Sequence, residues 1–388
     1  MKKALIVTRI SGFVPQFEMS HVDILKEMGY EIHYAANYNT VVYGKDNSRL
    51  DGTGIIRHQI DFERSPFSPS VIKACRQLCE LLEKEQFDLI HCHMPMSGVV
   101  TRICAQWMMS RGKCKKAPVL YTAHGLHFYT GAPLKNWIYY PVERFLARYT
   151  DKLIVMNQED YERSLKFPVR GAVEKIAGAG IDLSGKGFVV APENEVAEAA
   201  AKAEKRKEIR SKLGIKDEQF VLISVGEITK RKNHQAAIQA VKECNDKDVL
   251  YIICGSGPLE QELKENAKSD QIYFAGYQQN IRDYLAAADC FIFPSLQEGL
   301  PMALMEAMAE GLPVIALPIR GNTDLITHKK GGYLVPVGKF PQAIMKMKES
   351  EERRQAFGQW NKNAIKKFDR SIVDGQMKKI YEQCENNS

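Results

Sequence analysis

The chain has 388 residues, of which 45% are hydrophobic and 26% charged, and 54 Lys and Arg against 47 Asp and Glu leave a net charge of +7. That profile belongs to an ordinary globular protein with room for two domains. The positive excess is mild and no basic stripe or nucleic-acid module stands out, so no nucleic-acid partner is expected. No run of 18 apolar residues predicts a membrane-spanning helix. The opening Met1-Lys-Lys-Ala-Leu-Ile-Val-Thr8 is too short an apolar run for a signal peptide, so a cytoplasmic location is expected. Nine scattered cysteines, an odd number, suit free thiols in a reducing compartment.

Ala4–Thr8 reads as a buried first strand, followed by Ser11-Gly12-Phe13. Gly12 either lets a ligand approach the backbone or marks a plain strand-to-helix turn. Further strands are predicted at Glu31–Ala35, Leu89–His93, Val119–Ala123 and Lys152–Met156. Alternation puts His91 and His93 on one face, a start for a metal site, but no third or fourth ligand stands nearby and no metal is expected. His124 ends the strand Val119–Ala123, where it is either a substrate contact or a structural histidine. Arg111, Lys113, Lys115 and Lys116, with the aromatic and basic segment Asn136–Leu153, form either a membrane-resting surface or a packed helix beside a basic loop.

A break falls near Gly178-Ala-Gly180-Ile-Asp182. Ala191–Lys212, rich in Ala, Glu and Lys, reads as an exposed helix with a solvated charged face. A second series of strands follows at Val221–Val225, Leu250–Cys254, Gln271–Ala275, Cys290–Pro294 and Pro313–Leu317. Gly226 opens a loop carrying Lys230, Arg231 and Lys232 at the end of a strand, where ligands bind in open α/β sheets. The cations there suit a diphosphate or simply a solvated loop. Gly255-Ser-Gly257 follows the next strand; its two glycines fit close approach of a ligand, or an ordinary turn.

The densest signal is the stretch from Ser295 to Gly311. Pro301 is predicted at the first position of a helix, with Glu298, Gly299 and Leu300 just before it and Glu306 inside it. The helix is apolar on nearly every side, so Glu306 needs a partner: a ribose hydroxyl, or a structural Arg or Lys. Free N–H groups at the helix start suit a phosphate. Ile372–Cys384 reads as a terminal amphipathic helix with Ile372, Met377, Ile380 and Tyr381 inward.

Two series of alternating strands and helices predict an α/β protein with two Rossmann-like halves. The motifs together resemble the retaining glycosyltransferases of the GT-B fold, family 4, of the capsular or exopolysaccharide type. The resemblance runs along nearly the whole chain: Glu298 and Glu306 match an E-x7-E element, Gly226 and Lys232 a strand–Gly–x5–Lys element, Thr122 and His124 a Thr-x-His element, and Gly180-Ile-Asp182 a hinge. It implies two Rossmann-like domains facing across a cleft, residues 1–175 binding the acceptor and 176–367 the nucleotide sugar, with a helix at about 368–385 crossing back. It implies that His124, Lys232 and Glu298 act on the sugar and the diphosphate. It implies further that Gly12, Gly226, Arg231, Lys232, Gly255, Gly299, Leu300, Pro301 and Glu306 line the donor and acceptor sites.

The expected reaction moves a hexosyl or N-acetylhexosaminyl group from a UDP-sugar to a glycan or lipid-linked oligosaccharide, with retention, no cofactor, no metal and a peripheral contact with the inner face of the membrane. Three departures stand out: Glu227 where many relatives carry Arg, Ser11-Gly12 where many carry two glycines, and Arg320-Gly321-Asn322 in place of a glycine-rich step. A sugar-nucleotide 2-epimerase would share the fold but lacks a matching acid-base set here. A dehydrogenase would want a full G-x-G-x-x-G after the first strand, which Ile10-Ser-Gly-Phe-Val-Pro does not supply. A non-catalytic sugar-binding protein would want a periplasmic signal.

Overall fold

A computed structural model describes residues 1–44, 46–183 and 195–386. The chain divides into two compact units, Met1–Gly180 with Ser371–Ser388, and Ile181–Arg370.

The first unit is a seven-stranded parallel sheet of β1 (Lys2–Ile10), β2 (Tyr30–Asn37), β3 (Ile56–Gln59), β4 (Leu89–His93), β5 (Val119–Ala123), β6 (Lys152–Val155) and β7 (Ala172–Lys175). Their order across the sheet is β3-β2-β1-β4-β5-β6-β7. The connections carry α1 (Phe13–Phe17), α2 (Met19–Glu27), α3 (Ser70–Glu85), α4 (Pro95–Ser110), α5 (Tyr139–Leu146) and α6 (Gln158–Ser164). The second unit holds α7 (Glu195–Lys212), β8 (Phe220–Val225), α8 (His234–Cys244), β9 (Val249–Cys254), α9 (Glu260–Ala267), β10 (Ile272–Gly276), α10 (Ile281–Ala287) and β11 (Cys290–Phe293). It continues through α11 (Met302–Ala309), β12 (Val314–Ala316), α12 (Asn322–Leu325), β13 (Gly332–Leu334), α13 (Phe340–Glu349) and α14 (Glu351–Ala364). Its parallel sheet runs β10-β9-β8-β11-β12-β13. The last helix, α15 (Arg370–Asn386), joins the first unit through Ser371 onward.

Central strands bury both faces under helices, so they read as unbroken apolar runs. β9, Val-Leu-Tyr-Ile-Ile-Cys, is buried at every position. In each sheet the winding direction reverses once, between β1 and β4 and between β8 and β11. Loops leaving the carboxyl ends of those strands diverge and open a crevice, which is where ligands bind in such sheets.

Two expectations are corrected. Of the stretch Ala191–Lys212, α7 spans Glu195–Lys212, and the first four positions lie outside the described residues. Its charged face is also not merely solvated: Arg210, 2% exposed, pairs with Asp289 at 2.7 Å and donates to the carbonyls of Ala287, Lys216 and Gln219. Arg206 meets the other Asp289 oxygen at 2.7 Å and the Ala287 and Ala288 carbonyls. The guanidinium forks thus satisfy carbonyls at the end of α10 that have no helical partner. In α15 the inward residues are Val373, Met377, Ile380, Tyr381 and Cys384, while Ile372 is exposed. The stripe starts one residue later than its hydropathy pattern implied.

Candidate active site

The switch point of the second sheet gathers most of the site residues read from the sequence. β8 ends in Gly226, whose loop runs past Lys230, Arg231 and Lys232 to α8. β11 ends before Ser295, and its loop brings Glu298 back toward that first loop. Lys232 Nζ lies 2.7 Å from Glu298 Oε1, Arg231 3.0 Å and Ser295 Oγ 2.6 Å. Arg231 also donates to the Gln297 carbonyl, and Lys232 Nζ stands 4.8 Å over the Phe293 ring. Burial lowers the Lys232 pKa, and the Glu298 carboxylate opposes this. The loop cations are therefore drawn onto a glutamate within the site. Glu227, which departs from the family pattern, is exposed, and its charge joins that of Glu298 in opposing the effect of burial on Lys232.

Pro301 is the residue preceding α11 rather than its first residue, with extended backbone at φ −80° and ψ 115°. The helix starts at Met302, so the segment Gly299-Leu300-Pro301 forms the approach to its N-terminus. Arg320, not singled out as a ligand from the sequence, donates Nε to the Glu298 carbonyl at 3.1 Å and so fixes that approach. Glu306 lies just over a turn into α11, and its carboxylate makes no hydrogen bond or ion pair among the described residues; burial pushes it up to about 7. The structural Arg or Lys that would have explained it is not there among the described residues.

Two glycines have a reason other than a ligand. A Cβ on Gly255, at φ +146°, would stand 2.0 Å from the Gly226 carbonyl oxygen, because the two strand-end loops pack backbone to backbone. A Cβ on Gly12 would stand 1.7 Å from the Val42 carbonyl oxygen. Neither position leaves room for a side chain even in the absence of a ligand. Gly12→Ala is expected to cost about 3 kcal/mol, as overpacking against rigid backbone does. Urea denaturation of the variant measures it.

In the first unit the switch point collects histidines. His91 is fully engaged, sharing hydrogen bonds with Tyr381 OH at 2.9 Å and Thr122 Oγ1 at 2.8 Å, so Thr122 acts as its anchor. His93 and His124, from the ends of β4 and β5, lie 3.2 Å apart through Nδ1 and Nε2. The ring of Phe13, next to Gly12, packs edge-on against His124 at 4.8 Å. Glu18, at the junction of α1 and α2, joins them and shares a short hydrogen bond with His21. Burial raises the Glu18 carboxyl, but the imidazoles of His21, His93 and His124 more than offset it and hold the group well below the usual carboxylate range. Burial pushes His93 down to about 3 and lowers His124. Glu18 was missed from the sequence; its only local signal is the Glu-x-x-His step to His21.

Arg111, Lys113, Lys115 and Lys116 of the basic loop are all exposed, and three of them have partners. Lys113 pairs with Glu83 at 3.5 Å, Lys115 with Asp88, and Arg111 stacks on Trp107. The segment from Leu134 to Arg148 exposes apolar side chains as well. Leu134, Ile138 and Phe145 are 89%, 67% and 51% exposed among Lys135, Arg144 and Arg148, which are exposed too. On its inner side Glu143 pairs with the buried Arg102 of α4 at 2.9 Å and ties α5 down.

Comparison with known proteins agrees with this arrangement. Residues 4–157 match the family model "Glycosyl transferase 4-like" and residues 205–365 match "Glycosyl transferases group 1". The putative glycosyltransferase EpsD of Bacillus subtilis is 31% identical over 392 residues, 98% of this chain and 96% of that one. The UDP-Gal:alpha-D-GlcNAc-diphosphoundecaprenol alpha-1,3-galactosyltransferase of Escherichia coli is 30% identical over 284 residues, 70% of this chain and 68% of that one. In fold, the crystal structure of Anabaena Alr3699/HepE with UDP and glucose superposes with a TM-score of 0.73 at 20% identity, covering 99% of this chain and 100% of that one. With family models matching the strand-end loops of both units and a relative alike along almost its full length, the chain belongs to the GT4-type glycosyltransferases of the GT-B fold.

Proposed function

We propose that this glycosyltransferase moves a hexosyl or N-acetylhexosaminyl group from a UDP-sugar to a lipid-linked saccharide, with retention of anomeric configuration, in bacterial surface-polysaccharide assembly. The observation that carries the reading is the knot of Lys232, Arg231 and Ser295 on Glu298, set before the start of α11 and followed by Glu306, whose carboxylate has no partner among the described residues. Glu306 takes the ribose hydroxyls. Lys232 and the N–H groups at the start of α11 take the diphosphate. Glu298 contacts hydroxyls of the sugar, and His124 helps orient it. Gly226 and Gly255 shape the floor, and Leu300 and Pro301 steer the chain into α11.

The acceptor hydroxyl attacks the face that the leaving phosphate vacates, and that phosphate takes the proton, so no side chain serves as base. Developing charge on the diphosphate is met by Lys232 and the helix terminus, and no metal is placed in the reaction. UDP as the nucleotide is supported by the UDP complexes of HepE, and a lipid-linked acceptor by the name of the Escherichia coli relative.

The acceptor is reached at an anionic membrane surface by the segment Leu134–Arg148, where exposed apolar side chains are flanked by Lys135, Arg144 and Arg148. Each such cation contributes about 1 kcal/mol near an anionic leaflet. No helix among the described residues is long and apolar enough to cross a membrane, so the contact is peripheral.

The test is UDP release from a panel of UDP-sugars, in EDTA, with lipid-linked acceptors in anionic vesicles. Release that depends on one sugar and one acceptor, and co-sedimentation with the vesicles that falls with salt and in a Lys135→Gln, Arg144→Gln, Arg148→Gln variant, is expected. Release that needs added manganese or magnesium sinks the metal-free reading. A soluble sugar serving at full rate, with no vesicle binding at low salt, sinks the membrane reading.

A further inference from the structure

Hydrogen bonding accounts for only part of the group formed by Glu18, His93 and His124: the two imidazoles share a hydrogen bond, but one oxygen of the Glu18 carboxylate is left unmet. Glu18 is 2% exposed, and while Oε2 is hydrogen-bonded to His21, Oε1 has no hydrogen-bond partner. A buried carboxylate oxygen without a donor is costly. Oε1 lies 3.8 Å from His93 Nδ1 and 3.9 Å from His124 Nε2, too far for a hydrogen bond. With the two ring nitrogens 3.2 Å apart, the three atoms form a nearly equilateral triangle. Donors on a tetrahedral zinc with bonds of about 2.1 Å stand about 3.4 Å apart, so the spacings of 3.2, 3.8 and 3.9 Å need only a small inward shift of the Glu18 carboxylate to seat the ion just above their plane.

His93 ends β4, His124 follows the neighbouring strand β5, and Glu18 sits at the α1–α2 junction that follows β1 on the other side of β4, so the sheet sets the spacing of the two histidines and the α1–α2 junction brings in the carboxylate. Two imidazoles and one carboxylate make a three-ligand set with a fourth position open. His21 on the second carboxylate oxygen is the kind of outer partner that orients such a ligand. His93 and Glu18 are deeply buried, and His124, with a quarter of its side chain exposed, leaves the fourth position open to solvent.

We propose that Glu18, His93 and His124 bind a divalent cation of the zinc class, and that its binding inhibits glycosyl transfer by taking His124 Nε2 away from the sugar. The inhibitory half rests on the role given to His124 above; the binding half does not.

The test titrates chelator-treated, full-length enzyme with Co2+ and follows its visible absorption. One equivalent should give the d–d bands of a four-coordinate nitrogen and oxygen site, without near-UV sulfur charge transfer, and zinc should displace it. Glu18→Gln and His93→Gln should each bind at least roughly 100-fold more weakly, and His21→Gln about 10–100-fold more weakly. Circular dichroism confirms that each variant is folded. Stoichiometric zinc should abolish UDP-sugar turnover in the wild type and leave the His93→Gln rate unchanged on addition.

No stoichiometric cobalt binding by the wild type overturns the site. So do sulfur charge-transfer bands, which would place the metal on cysteines, or equal affinity in folded Glu18→Gln. Binding that leaves turnover untouched, or raises it, overturns the inhibitory half. An enzyme that binds cobalt as expected but transfers no sugar with or without zinc rejects the glycosyl-transfer reading and the inhibition with it, while the metal site stands.

Discussion

Replacing Lys232 by alanine should lower turnover by roughly 10²–10³-fold, the usual loss when one donor facing a developing oxyanion is removed. Lys232 Nζ is held 2.7 Å from Glu298 Oε1 and over the Phe293 ring at 4.8 Å, so its charge is aimed before any ligand arrives. Charge on the diphosphate grows as the glycosidic bond breaks, so the loss should fall on kcat more than on UDP affinity. The fold should survive, because Arg231 and Ser295 still satisfy Glu298. Arg231→Ala should cost less, since that side chain is 45% exposed and its attraction is screened. Steady-state kinetics decides the point: a raised KM with unchanged kcat would make Lys232 a uniform binding contact.

The second large effect concerns Glu306 and pH. Its carboxyl is pushed up to about 7 by burial, and the ionised form is the stronger acceptor for ribose hydroxyls. UDP affinity should therefore rise as pH rises toward 7, by at most about tenfold per unit for one linked proton, and level off above it. Glu306→Gln should flatten that profile, and Glu306→Ala should weaken UDP binding at pH 8 by about 1.5–3 kcal/mol, the worth of a hydrogen bond to a charged group.

Stability moves the opposite way. The folded value near 7 exceeds the ordinary 4.5, so protonation stabilises the fold. That contribution is fully present below about pH 4.5 and lost as pH rises through 7. Glu306→Gln should match the wild-type melting temperature in acid and exceed it above pH 7. Calorimetric titration and thermal melts across pH check both, and a pH-independent wild-type UDP affinity would count against the ribose role.

Legibility followed burial. β4 and β5 were readable to the residue because central strands are apolar on both faces, as in Leu-Ile-His-Cys-His and Val-Leu-Tyr-Thr-Ala. Three of the four edge strands escaped: β3 is Ile-Arg-His-Gln, β7 is Ala-Val-Glu-Lys and β13 has three residues, so none carries a long apolar run, whereas the fourth, β10, was placed to within one residue. In the second unit the strand ends could be placed from hydropathy, and with them Gly226, Lys232, Glu298 and Glu306.

What could not be read is which group faces which. Glu298 holding Lys232, the absence of a described partner for Glu306, and Arg320 pinning the Glu298 carbonyl depend on loops far apart in sequence. Glu18 was hidden for the same reason, being separated from His93 and His124 by three and four strands' worth of chain. The glycines misled differently. A glycine pattern records that space is short, but not whether a ligand or the protein's own backbone, as with Val42 and Gly226, fills it.

The last helix sets an order of events during synthesis. The first unit is closed only by α15, whose Tyr381 completes the His91 pair and whose Val373, Met377 and Ile380 are buried. Between Gly180 and Ser371 the ribosome must make the whole second unit, which at about 5–20 residues per second occupies on the order of 10–40 seconds. Throughout that interval the nascent amino-terminal half stands with an uncovered apolar seat and an imidazole lacking its hydroxyl. The second unit, contiguous in sequence, can finish first although it is translated later, so the amino-terminal half waits as the species most in need of a chaperone and matures last.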